Sequence, residues 1–107
     1  MDWSEYQRAA MRTQGAQDIS DRLAMAGLGL TGEAGEVADH LKKHLFQGHE
    51  LDREALKKEL GDILWYVALL LDTTGLTMSE ILDANIEKLT RRYPDGFSAE
   101  ASRGRTG

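Results

Sequence analysis

Apolar residues recur at steps of three and four along two long segments of this chain. In the first segment they lie at positions 23, 26, 30, 34, 37, 41 and 45, and in the second at 56, 60, 63, 67 and 70. This period predicts amphipathic helices over about residues 21–46 and 53–72. No segment alternates polar and apolar residues as a strand does, and the chain has 1 proline in 107 residues. The sequence therefore predicts an all-α fold.

The longer segment contains four glycines, at positions 27, 29, 32 and 35. Each glycine costs about 1 kcal/mol relative to alanine inside a helix, so a break near Gly32 is one interpretation. The apolar period keeps its phase across the glycines, which favours one continuous helix. In that case the small residues allow another backbone or a ligand to approach closely.

Capping residues mark where the helices begin. A first helix is expected over residues 3–14, and a fourth extends to about residue 92, where a proline and a glycine follow. The expected N-caps of the four helices are Asp2, Ser20, Asp52 and Thr77, the last forming a capping box with Glu80. Residues 1–97 are thus predicted to form one domain, a four-helix bundle-like subunit. Residues 98–107 are predicted to be a disordered tail.

The third helix is apolar on most sides, since further apolar residues widen its main stripe: Leu64, Trp65, Ala68, Leu69 and Leu71. A helix of this kind lies at the centre of its fold or is shared between subunits. A chain of 107 residues encloses such a helix with difficulty. A homo-oligomer is therefore expected.

Composition excludes several classes of function. The net charge of -5 argues against a general nucleic-acid binder, which needs a concentrated basic surface. The chain has no cysteine, which excludes disulfides, thiolate zinc sites and cysteine nucleophiles. The longest apolar run, residues 63–71, is too short to span a bilayer, and no charged-then-apolar leader opens the chain. A cytoplasmic protein without membrane partners is expected.

Two pairs of acids border the apolar faces of the two long helices. Acids at i, i+3 spacing are frequent in this chain, so the spacing alone selects none of them. Glu33 lies roughly 80° from the centre of its helix's apolar stripe, and Glu59 roughly 70° from the centre of its own. Glu36 and Asp62 lie further round on the same flanks. If the helices pack antiparallel, four carboxylates converge and repel one another, and a divalent cation such as Mg²⁺ would offset that repulsion. The alternative is a set of solvated or salt-bridged acids.

Three segments, "GEAGEVADHLKK", "KKELGDILWYVALLL" and "NIEKLTRRYPDGF", resemble the MazG family of all-α nucleoside triphosphate pyrophosphohydrolases. The family signature is E-x-x-E, a spacer (here residues 37–58) and E-x-x-D. The resemblance extends from about residue 3 to Phe97. It implies that this chain hydrolyses (d)NTPs to monophosphate and pyrophosphate, with a possible role in nucleotide-pool house-cleaning. It also implies a homotetramer built as a dimer of dimers.

The resemblance also implies roles for individual residues. Glu33, Glu36, Glu59 and Asp62 would be the catalytic acids and would coordinate Mg²⁺, with Mn²⁺ as a substitute. One of these glutamates, Glu33 for instance, would also take the proton of the attacking water. Residues of the fourth helix would hold the phosphates of the substrate: Asn85, Lys88, Arg91 and Arg92.

Other polar residues have weaker assignments. Tyr6 has two interpretations. It contacts the base or sugar of the substrate, or it lies in the core or in an interface. Lys43 also has two interpretations: its side chain reaches a phosphate of the substrate, or it lies on a solvated face of the helix. His40 and His44 lie on the same side of their helix as Glu33, but the E-x-x-H and H-E-x-x-H patterns of known metal sites are absent. Both histidines are assigned to the surface or to supporting contacts around the acids.

A different class of function fits the same helices. A non-catalytic helical oligomerisation module would carry these acids as a solvated rim. The discriminating feature is the position of the acids beside small residues and apolar stripes, instead of on the outer face.

Overall fold

The computed structural model describes residues 1–104, which form five α-helices and no strand. The helices are α1 (Trp3–Met11), α2 (Ile19–Phe46), α3 (Arg53–Thr74), α4 (Met78–Arg92) and α5 (Ala99–Arg103). The predicted all-α fold class is confirmed. No described helix combines the length and the hydropathy that a bilayer span requires.

The chain divides into two compact units, Met1–Gly75 and a second that begins at Leu76. In the first unit α3 packs against both α2 and α1. The residues that are buried there are alanines and leucines: Ala10, Ala26, Ala68, Leu69 and Leu71. Alanine at a helix contact lets two backbones approach closely, so these positions lie where the helices meet.

Helix α2 is continuous across all four glycines, as the unbroken apolar period predicts. Its N-cap differs from the prediction: the side chain of Asp18 accepts a hydrogen bond from the backbone N–H of Asp21 at 3.2 Å. Ser20, the predicted cap, already lies inside the helix. Aspartate and serine are about equally good N-caps, so the sequence did not separate the two.

One glycine of α2 has a packing role. A Cβ atom added at Gly29 would overlap the ring of Tyr66 on α3, whereas Cβ atoms at Gly27, Gly32 and Gly35 would meet nothing within 4 Å. A close approach therefore occurs at Gly29, but the approaching group is the aromatic side chain of Tyr66. The sequence predicted a backbone or a ligand instead.

The predicted main stripe of α3 is not its most buried face. Leu60 of that stripe is 47% exposed, whereas Leu69, assigned to the widening set, is fully buried. Helix α1, which has 9 residues, packs against α3 near Ala68, beside Leu69 in the chain. There Gln7 donates a hydrogen bond to the carbonyl of Ala68 and Trp65 donates one to the hydroxyl of Thr13.

The predicted first helix is also too long at its end. Helix α1 stops at Met11, where the prediction extended it to residue 14. The hydroxyl of Thr13 donates to the carbonyl of Ala10 at 2.7 Å, and the backbone N–H of Thr13 donates to the same carbonyl. The carbonyl of Ala10 thus accepts hydrogen bonds from Thr13, and no further turn of helix is needed to provide it with a donor.

The second unit contains α4 and α5. The predicted capping box at the start of α4 is present, because Thr77 and Glu80 each accept from the other's backbone N–H. Within the tail that the sequence predicted to be disordered, Ser98 caps the short helix α5 by accepting from the N–H of Ala101. The sequence signal for so short a helix is only one capping serine. The remainder of the predicted tail, residues 105–107, lies outside the described residues.

Candidate metal and nucleotide site

Helices α2 and α3 are antiparallel, which brings their two acidic pairs to the same boundary. Arg22 near the start of α2 forms a 3.3 Å ion pair with Asp72 near the end of α3. His40, late in α2, contacts Glu59, early in α3, at 3.4 Å. The two helices therefore run in opposite directions, and residues that lie between these two contacts on α2 face residues that lie between them on α3. The E-x-x-E segment of α2 faces the E-x-x-D segment of α3, as the sequence predicts.

Glu33 experiences the charge of all three other acids of the pattern. Its pKa is raised above the ordinary 4.5, first by burial and then by the negative charges of Asp62, Glu36 and Glu59. Each of these effects disfavours the ionised carboxylate. The four predicted acids therefore share one electrostatic environment, in which Glu33 and Glu59 are half-buried and Glu36 and Asp62 are exposed.

The acids line two pockets in the first unit. Glu36 and Glu59 line one of them together with Asp39, His40 and Lys43. Glu33 and Asp62 line the other, together with Trp65 and Tyr66. Each pocket therefore contains one acid of the E-x-x-E pair and one acid of the E-x-x-D pair.

The chemistry of these residues fits a hard divalent cation. All four donors are carboxylates, and magnesium binds oxygen ligands. The Oε2 atom of Glu59 is buried and has no hydrogen-bond partner, so a positive charge would compensate it. Among residues 1–104, however, no group of three or more His, Asp or Glu side chains has an arrangement that could hold a metal ion. That these four acids bind a metal ion stays a prediction.

Tyr6 lies close to this acidic boundary. The pKa of its phenol is raised above the ordinary 10.0, mainly by burial and additionally by the charge of Asp62. Its ring centroid is 5.4 Å from that of Trp3, and both side chains are half-buried. The phenol therefore stays protonated at neutral pH and can donate a hydrogen bond near Asp62.

Lys43 is paired within its own helix. Its ammonium group lies 2.9 Å from Asp39 Oδ2, and this bond raises the pKa of Lys43 and lowers that of Asp39. Lys42 contacts the same carboxylate at 3.6 Å. Because Lys43 also lines the pocket of Glu36 and Glu59, it supplies a positive charge there. Its contact with a phosphate stays a prediction.

The predicted phosphate-binding residues all lie on α4, in the second unit. Asn85, Lys88 and Arg92 are spaced by three and four residues, which places them on one face of that helix. Arg91 forms a 2.7 Å ion pair with Glu87, one helical turn earlier. Both arginines lie in the last turn, where positive charge is favoured by the helix dipole. Their role toward a substrate stays a prediction.

Sequence reasoning did not find the contacts of His40. The imidazole touches Glu59 on α3 and also accepts a hydrogen bond from the backbone N–H of Asp52 at 3.2 Å. The sequence placed His40 on the same side of α2 as Glu33, and supporting contacts around the acids were one of its two expected roles. Positions within α2 gave no information about the loop that brings Asp52 to the ring.

Comparisons with known proteins agree with the sequence motifs. Residues 23–97 match the family model described as the MazG nucleotide pyrophosphohydrolase domain. The chain is also similar to the "Gene 37 protein" of Mycobacterium phage L5, with 36% identity over 100 residues, which covers 85% of this chain and 88% of that protein. No solved structure matches the chain.

Proposed function

Because the chain belongs to the MazG nucleotide pyrophosphohydrolase family, we propose that it hydrolyses (d)NTPs to monophosphate and pyrophosphate with the help of magnesium. The observation that carries the proposal is the shared environment of Glu33, Glu36, Glu59 and Asp62 at the boundary of α2 and α3. Four carboxylates in this position repel one another, and a cation relieves that repulsion.

These four residues would hold magnesium, and manganese would substitute for it. When bound, the ion supplies positive charge that offsets the charge of the phosphates and makes a nearby water easier to deprotonate. Burial and the neighbouring carboxylates raise the pKa of Glu33, which makes it a stronger base than an ordinary glutamate. We assign to Glu33 the removal of the proton from the attacking water.

The other predicted residues would position the substrate. Asn85, Lys88, Arg91 and Arg92 would hold the phosphates, since an amide, an ammonium and guanidinium groups all donate hydrogen bonds to phosphate oxygens. Lys43 would contribute a further positive charge. Tyr6 would donate a hydrogen bond to the base or sugar. The proposed role is removal of modified or excess nucleotides in the cytoplasm, by a tetramer assembled from two dimers.

The reaction is tested directly by its products. The purified protein is incubated with a panel of standard and modified (d)NTPs and magnesium, and the products are separated by anion-exchange chromatography. Pyrophosphate with monophosphate is the expected result. Asp62→Asn should lose at least about 10²-fold in rate, since it removes one of the site's acids. Asp21→Asn, also an acid of an i, i+3 pair but at the start of α2, should leave the rate unchanged.

Orthophosphate as the product would replace the proposed reaction with another. Absence of turnover on every nucleotide would favour the alternative, a non-catalytic oligomerisation module.

Thermal unfolding separates these two functions without any substrate. If the four acids bind magnesium, the ion stabilises the folded state by about 2.7 kcal/mol at a concentration 100 times its Kd. The Tm of the wild type should therefore rise with magnesium, and Glu36→Gln should abolish the rise while the variant stays folded. A non-catalytic module predicts the same Tm with and without the ion.

A further inference from the structure

The imidazole of His40 lies between the backbone of Asp52 and the carboxylate of Glu59. Its Nδ1 atom is 3.4 Å from Glu59 Oε1, and its Nε2 atom accepts a hydrogen bond from the N–H of Asp52 at 3.2 Å. The His40 side chain is 11% exposed and that of Glu59 is 21% exposed. One ring therefore connects α2, the loop that follows α2, and α3.

The contact with Asp52 determines which nitrogen of His40 carries the proton. A ring nitrogen that accepts a hydrogen bond from a backbone N–H must present its lone pair. In a neutral imidazole the other nitrogen then holds the proton. Nδ1–H consequently donates to Glu59 Oε1, and neither nitrogen is left to bind a metal.

The loop that supplies this N–H is itself fixed. The backbone N–H of His49 donates to the carbonyl of Lys43, and Gly48 adopts a positive φ of 74° that favours glycine. At the end of the loop, the side chain of Asp52 accepts from the N–H of Ala55 as the N-cap of α3. The position of the Asp52 N–H is therefore set by the start of α3, independently of Glu59.

The two oxygens of Glu59 have different environments. Oε1 accepts from His40, whereas Oε2 is buried and has no hydrogen-bond partner. A hydrogen bond to one oxygen limits the rotation of the carboxylate and holds the other oxygen in place. A buried oxygen without a donor is costly unless a positive charge compensates it.

We propose that His40 is a positioning residue that orients the Glu59 carboxylate toward a divalent cation. The proposal rests on the proposed function, because it requires Glu59 to be a ligand. A carboxylate that is already oriented loses less conformational freedom when it binds the ion, so the affinity for the ion increases.

Two single substitutions separate the two hydrogen bonds of the ring. In His40→Asn the amide nitrogen takes the place of Nδ1 and can still donate to Glu59, but it cannot reach Asp52. In His40→Gln the amide oxygen takes the place of Nε2 and can still accept from Asp52, but the donor to Glu59 is lost. His40→Ala loses both. His44→Ala is the matched control, because His44 lies one turn later on α2 and its ring is hydrogen-bonded to the carbonyl of His49, at 2.9 Å, and not to an acid of the site.

The first measurement is the Kd for Mn²⁺ of the full chain without nucleotide, from the electron paramagnetic resonance signal of free Mn²⁺. His40→Ala and His40→Gln should raise the Kd by about 10- to 100-fold, the usual effect of removing a group that orients a metal ligand. His40→Asn and His44→Ala should stay close to the wild type. Circular dichroism checks that each variant is folded, and the Asn and Gln pair decides the outcome if His40→Ala does not fold.

The second measurement is the magnesium dependence of turnover. The magnesium concentration for half-maximal rate should rise for the variants with weakened Mn²⁺ binding. Their kcat at saturating magnesium and their KM for nucleotide should stay close to the wild-type values.

The outcomes distinguish this inference from the proposed function. If the wild type neither binds Mn²⁺ nor hydrolyses any nucleotide, the proposed function fails and this inference fails with it. If the wild type does both and His40→Gln binds Mn²⁺ as tightly as the wild type, only the inference is overturned. Weakened binding in His40→Asn alone would also overturn it, since the contact with Asp52 would then be the important one.

Discussion

Burial and three neighbouring carboxylates disfavour the ionised form of Glu33, and both effects raise the pKa of this residue. A carboxyl group whose pKa is higher in the folded state binds its proton more tightly there than in the unfolded chain. Its contribution to stability is therefore complete below its ordinary pKa of 4.5. That contribution is lost as the pH rises through the higher, folded-state pKa.

Glu33→Gln is expected to remove this part of the pH dependence. Without divalent ions, the Tm of the wild type should fall relative to the variant as the pH rises from about 4.5 through the raised pKa. The variant should also be the more stable protein at neutral pH, because one of four repelling charges is gone. Thermal unfolding in EDTA across this pH range measures both effects, and parallel Tm curves would contradict the proposed repulsion.

At the scale of the elements, the contact between α2 and α3 depends on which glycine lies at the crossing. Gly29 is covered by the ring of Tyr66, and Tyr66 lines the same pocket as Glu33 and Asp62. The other glycines of α2 face open space. Replacement of glycine by alanine is therefore expected to change the stability in opposite directions at Gly29 and at the other glycines of α2.

Gly27→Ala should stabilise the protein by up to about 1 kcal/mol, since alanine is the better helix former and its Cβ meets no neighbour. Gly29→Ala should instead destabilise it by about 1–3 kcal/mol, because the added methyl group displaces the Tyr66 ring. Urea unfolding of the two variants gives both values. Equal stabilisation by both substitutions would mean that the ring does not cover Gly29.

Helix α4 begins at a complete capping box, whose hydrogen bonds from Thr77 also lower the pKa of Glu80. Thr77→Ala removes the cap and should lower the free energy of unfolding by about 1 kcal/mol. Ser79→Ala, at an exposed position in the first turn of α4, should change it by less than about 0.5 kcal/mol. Urea unfolding compares the two, and similar values would show that the box does not stabilise α4.

At the scale of the whole molecule, large apolar side chains of the first unit are uncovered in a single chain. Leu60 and Leu64 are 47% and 46% exposed, and their spacing of four places them on one face of α3. At the end of α2, Leu45 is 67% exposed and Phe46 is 81% exposed. Exposed apolar surface of this kind is characteristic of protein contacts, and it supports the proposed homo-oligomer.

Analytical ultracentrifugation should therefore give a mass of several times 11.9 kDa, with four copies expected. Replacing Leu60 and Leu64 together by glutamine should shift the protein toward smaller species, because a polar amide in an apolar contact lacks partners. Circular dichroism should show that the helices persist. A wild-type protein that stays monomeric at micromolar concentration would contradict the prediction.

The sequence by itself determined the three longest helices, α2, α3 and α4, and the positions of the acids within them. Periodicity and capping are local, so α2 was correctly predicted to be continuous, and Asp52 and Thr77 were correctly predicted to be N-caps. The phase of Glu33 and Glu59 beside the apolar stripes also depends only on positions within one helix. The family motifs follow the chain in order and needed no structure.

Tertiary structure alone decided which of these features meet. Leu69 is buried and Leu60 is exposed because the helices packed against α3 cover one apolar side of it and not the other. Gly29 differs from Gly27 because Tyr66 approaches from another helix. His40 contacts Glu59 because a loop places the N–H of Asp52 against its ring. These contacts join residues distant along the chain, and the spacing within one helix carries no information about what lies opposite.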